Sequence, residues 1–349
     1  MPNVIEIKTL SEIHGQPDVW RRVLQTLEEL DLSALTTNYD PRTSEWIFIG
    51  CGTSYYLAQA AAASFTTLLG VPARAVPASE VLLFPSLILP KTKAIFPVLI
   101  SRSGHTSEIL RVADCLQEQQ IEFLGITCDG RELAQATPRL LQLPVIEDST
   151  VMTSSFTSML LALQYIAAWF VKNDEFRNAL DLLPEHLERL LKTYSSQVES
   201  FAQRNFDDIA VLGQGALYAI AAETALKVME SSSTYAQYFH TLEFRHGPKS
   251  IVSTRTLVGA LLSETGYETE LSVHREMKEI GSTTFAVANK ATPELYKAAD
   301  LVIELGLPIP ELARIVVYVV WGQLLGSYRG LAKGLDPDNP TNLSRVVKL

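Results

Sequence analysis

The feature that most constrains this chain is a run of short, wholly apolar segments, each closed by a glycine or a small hydroxylated residue and followed by a helical period. The pattern occurs twice. In the first half, Trp46-Ile47-Phe48-Ile49 ends in Gly50 and Ala94–Ile100 ends at Ser101, with Phe123–Thr127 and Leu140–Leu143 after them. Between these, Ser107–Glu118 sets Ile109, Leu110, Ala113 and Leu116 at helical spacing. In the second half, Ile209–Leu212 leads to Gly213 and Thr256–Leu262 to Ser263–Gly266; Thr284–Ala288 and Leu301–Leu305 close the set. Strands apolar on both faces, alternating with helices, specify an α/β protein whose parallel sheets are covered on both sides. Gly50 and Gly213 lie 163 residues apart and Gly104 and Gly266 lie 162 apart, an offset that points to a duplicated α/β unit. Pro97 has no N–H to give to a ladder, which places its strand at an edge or a bulge.

The length of 349 residues allows about two domains. Residues 1–45 form an N-terminal helical segment, in which Pro17–Leu30 reads as an amphipathic helix with Val19, Val23, Leu27 and Leu30 on one face. The first α/β domain spans 46–172 and the second 201–332. A helical linker, 173–200, belongs to the stretch Met159–Glu199, which Asn173-Asp174 and Pro184 interrupt. Residues 333–349 make a polar, turn-rich tail. The net charge of −10 argues against a nucleic-acid partner, but a small phosphate can still be held by backbone amides and helix ends. Cys51, Cys115 and Cys128 are odd in number and make no CxxC, as expected of reduced thiols in a cytoplasmic protein. The N-terminus has no apolar signal core. The longest apolar stretch, Leu312–Leu325, is short for a membrane span and carries Arg314, Gly322 and Gln323, so a buried helix is expected and no membrane partner.

Two strand ends in the first half carry hydroxyls before a helix: Gly50-Cys51-Gly52-Thr53-Ser54 and Ser101-Arg102-Ser103-Gly104-His105-Thr106. Ligands of open parallel sheets bind beyond the carboxyl ends of strands, where helix N-termini carry partial positive charge. The two loops therefore form a candidate anion cradle, although capping is the ordinary task of Ser and Thr at such sites. Neither loop is a P-loop, and Gly213-Gln214-Gly215 lacks the remaining features of a dinucleotide fingerprint. No HExxH or Cys/His cluster calls for a metal, and no cofactor is expected. Along 216–231, Glu223, Lys227 and Glu230 fall on one face of an otherwise apolar helix. They read equally as a surface ladder or as a carboxylate base held beside an ammonium in a pocket. His246, before Gly247-Pro248, sits in a turn from which an imidazole can project, for proton transfer or as a plain surface residue.

Six motifs in chain order resemble those of the sugar isomerase (SIS) domain family: GCGTS at 50–54, SRSGHTSE at 101–108, VMTSS at 151–155, ETALKVME at 223–230, FRHGPKS at 244–250 and GLDPDNPTNLSRVV at 334–347. The resemblance implies two tandem SIS domains, as in the isomerase half of glucosamine-6-phosphate synthase. MTSS, FRHGPKS, the Arg-Val-Val ending and EIHGQPDVW at 12–20 are similar to the AgaS-like branch of tagatose-6-phosphate ketose/aldose isomerases and galactosamine-6-phosphate deaminases. It further implies that Ser101, Ser103 and Thr106, with Thr53 and Ser54, bind a sugar phosphate. By the same resemblance Val151 and Thr153 line the sugar, Glu230 is the base, Lys227 neutralises charge and Glu223 supports the helix. His246 then opens the sugar ring, reaching in from the other subunit of a homodimer, and the tail closes the site. Two departures stand out. The segment before Trp46 holds no glutaminase, and Arg345 replaces the synthase lysine, so it can clamp substrate but not form a Schiff base. His105 also replaces an acidic residue. The implied activity is aldose/ketose isomerisation of a hexose or amino-hexose 6-phosphate, with or without deamination. A fructosamine-6-phosphate deglycase and a non-catalytic sugar-phosphate sensor are the alternatives.

Overall fold

Strands of three to six residues, most of them apolar runs, make two five-stranded parallel sheets in the computed structural model, which describes residues 7–37, 39–89 and 94–345. The helices α1 (Lys8–His14) and α2 (Gln16–Glu29) precede strand β1 (Glu45–Gly50). Then come α3 (Thr53–Leu69), β2 (Ala73–Pro77), α4 (Ala78–Leu83), α5 (Pro85–Ile88), β3 (Ile95–Ile100), α6 (Ser107–Glu118), β4 (Leu124–Thr127), α7 (Leu133–Ala136) and β5 (Leu140–Gln142). Three helices follow: α8 (Ser154–Phe170), α9 (Asp174–Asp181) and α10 (Leu183–Ala202). The second sheet is built from β6 (Asp208–Gly213), α11 (Leu217–Ser232), β7 (Tyr235–His240), β8 (Thr256–Leu261), α12 (Tyr267–Ile280), β9 (Thr283–Ala288), α13 (Pro293–Ala298), β10 (Leu301–Glu304) and α14 (Glu311–Ala332). Asn173 caps α9 by accepting from the Phe176 N–H at 2.9 Å, the interruption its side chain foretells.

The chain divides into two compact units. One, here the C-terminal unit, comprises Met1–Pro17, Asp148–Thr153 and Leu183–Leu343; the other, the N-terminal unit, comprises Asp18–Glu147, Ser154–Leu182 and Ser344–Leu349. The strand orders are β2-β1-β3-β4-β5 and β7-β6-β8-β9-β10, the same topology twice. In the N-terminal unit, side-chain alternation along β1 sends Ile47 and Ile49 to a cluster with Leu99, Ile109, Val112 and Leu116. Trp46 and Phe48 go to the other face, where both meet Phe65 of α3, with ring centroids 4.7 and 4.8 Å away. The C-terminal unit repeats the scheme, with Ala210, Leu212, Val258, Val273 and Met277 packed together.

The duplication also shows in the strand-to-helix turns. A Cβ on Gly50 would lie 2.3 Å from Ser54 O, and one on Gly213 would lie 2.3 Å from Leu217 O. Two residues on, Gly52 and Gly215 both take left-handed φ, +54° and +57°. The second landmark pair is not equivalent: Gly104 has φ +62°, whereas Gly266 has φ −94°. Pro97 also departs from its expected place, because β3 is a central strand between β1 and β4. The Ser101 N–H bonds Ile126 O at 3.1 Å, so by alternation the nitrogen of Pro97 faces the β4 side. Pairing with β4 begins only at Val98↔Leu124, so the missing N–H removes no ladder bond.

Candidate functional site

In the N-terminal unit the chain leaves β1 on one side for β2 and continues on the other side into β3. The gap between the carboxyl ends of β1 and β3 is therefore a topological switch point, and the two hydroxyl-bearing loops border it. Thr53 and Ser54, both buried, are the first two residues of α3. Ser101 Oγ and Thr106 Oγ1 lie 3.0 Å apart across the other loop. Ser103 Oγ accepts from the His105 N–H at 3.2 Å, which leaves its own proton to donate elsewhere. Gly104 makes this loop's shape: beyond its left-handed φ, a Cβ there would meet Asp129 O at 2.4 Å. The Cys128 and Asp129 N–H groups donate to Arg102 O at 3.0 and 3.1 Å, fastening the loop from beneath.

Arg102 is the one Lys or Arg within 101–106, and it is not turned outward. It is buried, with Nη1 donating to Glu147 Oε2 at 2.9 Å, and Glu147 also accepts from the Ser155 N–H at 3.1 Å. What this loop presents is therefore hydroxyls, backbone amides and the N-terminus of α6, with His105 Nδ1 2.6 Å from Glu132 Oε1. Burial, with Glu108 nearby, pushes the Cys51 thiol up to about 12 against one backbone hydrogen bond from Ala78, so this loop cysteine stays a neutral thiol.

In the C-terminal unit, α11 carries the charged triplet, and it is not a surface ladder. Glu223 has no exposed side-chain area and Lys227 has 1%, whereas Glu230 keeps 19%. Lys227 Nζ stands 3.3 Å from Glu223 Oε1 and donates to Glu230 Oε2. Burial disfavours the ammonium, but the two carboxylates outweigh it and raise its pKa, so Lys227 is a charged lysine. α14 makes the burial possible. A Cβ on Gly322 would meet Thr224, one on Gly326 would meet Lys227 O at 2.8 Å, and one on Gly330 would meet Ser231 O at 2.1 Å, so the three glycines let the two helices touch at the triplet. Lys333 donates to Ser232 O at 2.6 Å and Ser233 O at 3.1 Å, closing the α11 C-terminus. None of the described hydrogen bonds or ion pairs joins the exposed His246 side chain to this triplet. The turn bearing it is anchored instead by Arg245 and Lys249, which pair with Glu276 at 2.9 and 2.7 Å.

The remaining expected site residues fall in both units. Val151 and Thr153 are buried in the irregular segment 148–153 of the C-terminal unit. Arg345 donates from Nη2 to Glu147 O, and its own carbonyl lies 3.4 Å from Arg102 Nη2. Val346 and Val347 of the tail motif lie outside the described residues. The structure thus brings Ser101, Ser103 and Thr106 together in one loop and Glu223, Lys227 and Glu230 on one helix face. Sequence reasoning missed the Arg102–Glu147 pair and the glycine row of α14. The spacing Gly322-Gly326-Gly330 was the signal for the latter, whereas nothing local marks a pair 45 residues apart.

A family model described as "SIS domain" matches residues 42–168 and again 203–319. Over 349 aligned residues the chain is 27% identical to the glutamine–fructose-6-phosphate aminotransferase (isomerizing) of Methanothermobacter thermautotrophicus, covering 97% of this chain but 57% of that one. The chain thus spans little more than half the length of that relative. Over 361 residues it is 28% identical to the D-galactosamine-6-phosphate deaminase AgaS of Shewanella sp. strain ANA-3, covering 98% of this chain and 89% of the other. Among solved structures it is similar to the glucosamine-6-phosphate deaminase of Thermotoga maritima, with a TM-score of 0.78, 28% identity, and coverage of 98% and 100%.

Proposed function

Because the chain belongs to the SIS domain family, we propose that it is a phosphosugar isomerase that moves a proton between C1 and C2 of an amino-hexose or hexose 6-phosphate. The observation that carries this reading is the buried Glu223–Lys227–Glu230 triplet, in which only Glu230 keeps access to a ligand. A carboxylate hydrogen-bonded to a fixed ammonium and open on its other side is placed to take a carbon-bound proton. Two of the three relatives compared are named as amino-hexose-6-phosphate deaminases, which favours an amino-hexose as substrate.

In this scheme the 101–106 hydroxyls, with Thr53 and Ser54, hold the phosphate, while Val151 and Thr153 line the sugar. His246 assists ring opening. Glu230 removes the C2 proton of the open-chain aldose, giving an enolamine, and returns a proton to C1. The resulting C2 imine takes up one water and releases one ammonia, leaving the ketose 6-phosphate; a substrate with a 2-hydroxyl stops at isomerisation. Arg345 clamps the bound sugar. We assign His246 of the partner subunit to each site, in a homodimer. Cys51, Cys115 and Cys128 are free thiols, which supports a cytoplasmic setting, and among the described residues no helix is long and apolar enough to cross a membrane.

The test is incubation with glucosamine, galactosamine, fructose and tagatose 6-phosphates in deuterated water, following ammonia, the aldose/ketose ratio and exchange at C1 and C2. Wild type exchanges the carbon-bound hydrogen, and Glu230→Gln loses roughly 100- to 10,000-fold in turnover while still binding the phosphosugar. Binding by wild type without exchange on any of the four sugars would refute catalysis and leave a sensor.

A further inference from the structure

The segment Glu12–Trp20 takes no part in the proposed chemistry, yet two of its polar side chains end on, or next to, the backbone that lines the sugar. Residues 148–153 have no regular secondary structure, so their amides and carbonyls depend on side chains for partners. The Glu12 carboxylate accepts the Asp148 N–H at 2.5 Å and the Ser149 N–H at 3.1 Å, and it also bonds the Ser149 hydroxyl. That hydroxyl lies 2.9 Å from Val151 O as well. Gln16, fully buried at the start of α2, donates to Ile13 O at 3.1 Å and to Gln323 Oε1 at 2.9 Å. This fixes the orientation of the Gln323 amide, whose nitrogen then donates to Thr153 O at 3.1 Å. The helix that presents Glu12 is itself tied: Asp338 accepts the Lys8 and Thr9 N–H groups, both at 2.8 Å.

We infer that Glu12 and Gln16 are positioning residues that set the backbone of 148–153, and through it the fit of the sugar against Val151 and Thr153. The inference rests on the reading that these two residues line the sugar. Glu12 holds the start of the segment by charge-assisted bonds to two successive amides, and Gln16 holds its end through Gln323. A displacement of an ångström or less in such a wall weakens ligand fit without touching the base.

The experiment compares Glu12→Gln and Gln16→Met with wild type by hydrogen exchange and by kinetics on galactosamine and glucosamine 6-phosphates, with inorganic phosphate as a competing anion. In Glu12→Gln the amides of 148 and 149 exchange at least ~10-fold faster, matching the loss of their charged acceptor. KM for the phosphosugar rises about 10-fold, while kcat and inhibition by inorganic phosphate stay within about twofold, because base and anion loop are untouched. Gln16→Met shows the same KM-against-kcat split, and it carries the test if Glu12→Gln folds poorly. Unchanged exchange across 148–153 would overturn the positioning role, and loosened amides with an unchanged KM would overturn its bearing on the sugar. If wild type turns over none of the sugars, the functional reading fails first, and the exchange data still decide whether Glu12 and Gln16 hold the segment.

Discussion

Replacing Lys227 by methionine removes an ammonium that is completely enclosed and leaves its neighbour Glu223 with no exposed surface and no countercharge at 3.3 Å. At an effective dielectric of about 20, charges separated by that 3.3 Å attract by ~5 kcal/mol. Breaking a buried pair from one side costs about 3–5 kcal/mol in general, because the remaining charge stays desolvated. Methionine keeps most of the lysine stem's packing, so the loss is electrostatic rather than a cavity. Lys227→Met should therefore destabilise the C-terminal unit by about 3–5 kcal/mol. Adding Glu223→Gln removes the stranded charge and should restore more than half of that loss. Glu230→Gln, at a position that reaches solvent, should cost about 1 kcal/mol or less. Urea unfolding of wild type and the three variants measures all three terms, with Trp321, the one tryptophan in 183–343, reporting on that unit. If the Glu223→Gln/Lys227→Met double variant is no more stable than Lys227→Met, the stranded carboxylate is not the cause and the argument is wrong.

Three further outcomes are expected. Ser103→Ala, on the Glu230→Gln background, should weaken glucosamine 6-phosphate binding by about 1–3 kcal/mol in calorimetry, and equal affinity would remove Ser103 from the anion site. Mixing inactive Glu230→Gln with inactive His246→Ala under verified subunit exchange should recover part of the activity, and no recovery would mean that each chain builds its own site. His274 has no exposed surface and neither ring nitrogen has a hydrogen-bond partner; burial, then Lys278, depresses its pKa from 6.5 to about 4 against the pull of Asp300. The unfolded chain thus takes up this proton before the folded one, so the contribution is complete above pH 6.5 and is lost as pH falls towards 4. Between pH 7 and 5 the loss should be about 2 kcal/mol, absent in His274→Leu, and parallel pH profiles of unfolding for the two proteins would refute it.

Much of this fold was legible in the sequence because its informative signals are local. The apolar runs at 46–49, 209–212 and 256–262 have to be strands buried on both faces, and the periodicity of 107–118 defines α6 at both ends. The edge strands β2 and β7 escaped for the same reason: half exposed, Ala73–Pro77 and Tyr235–His240 have no apolar run to find. Spacing alone put Glu223, Lys227 and Glu230 on one face, and the hydroxyls of 101–106 marked a strand-to-helix loop as a candidate for anions. Whether the triplet was wet or buried depended on Gly322, Gly326 and Gly330, about a hundred residues further along, which bring α14 within contact of α11. Nothing local to Arg102 shows that Glu147 holds it in the interior. Pro97 reads as an edge or a bulge, whereas its missing N–H points where β4 has not yet begun. Gln16 and Gln323, separated by 307 positions, show the limit most plainly. Backbone periodicity is set by neighbouring residues, whereas desolvation and hydrogen-bond pairing are set by whatever segment the fold carries alongside.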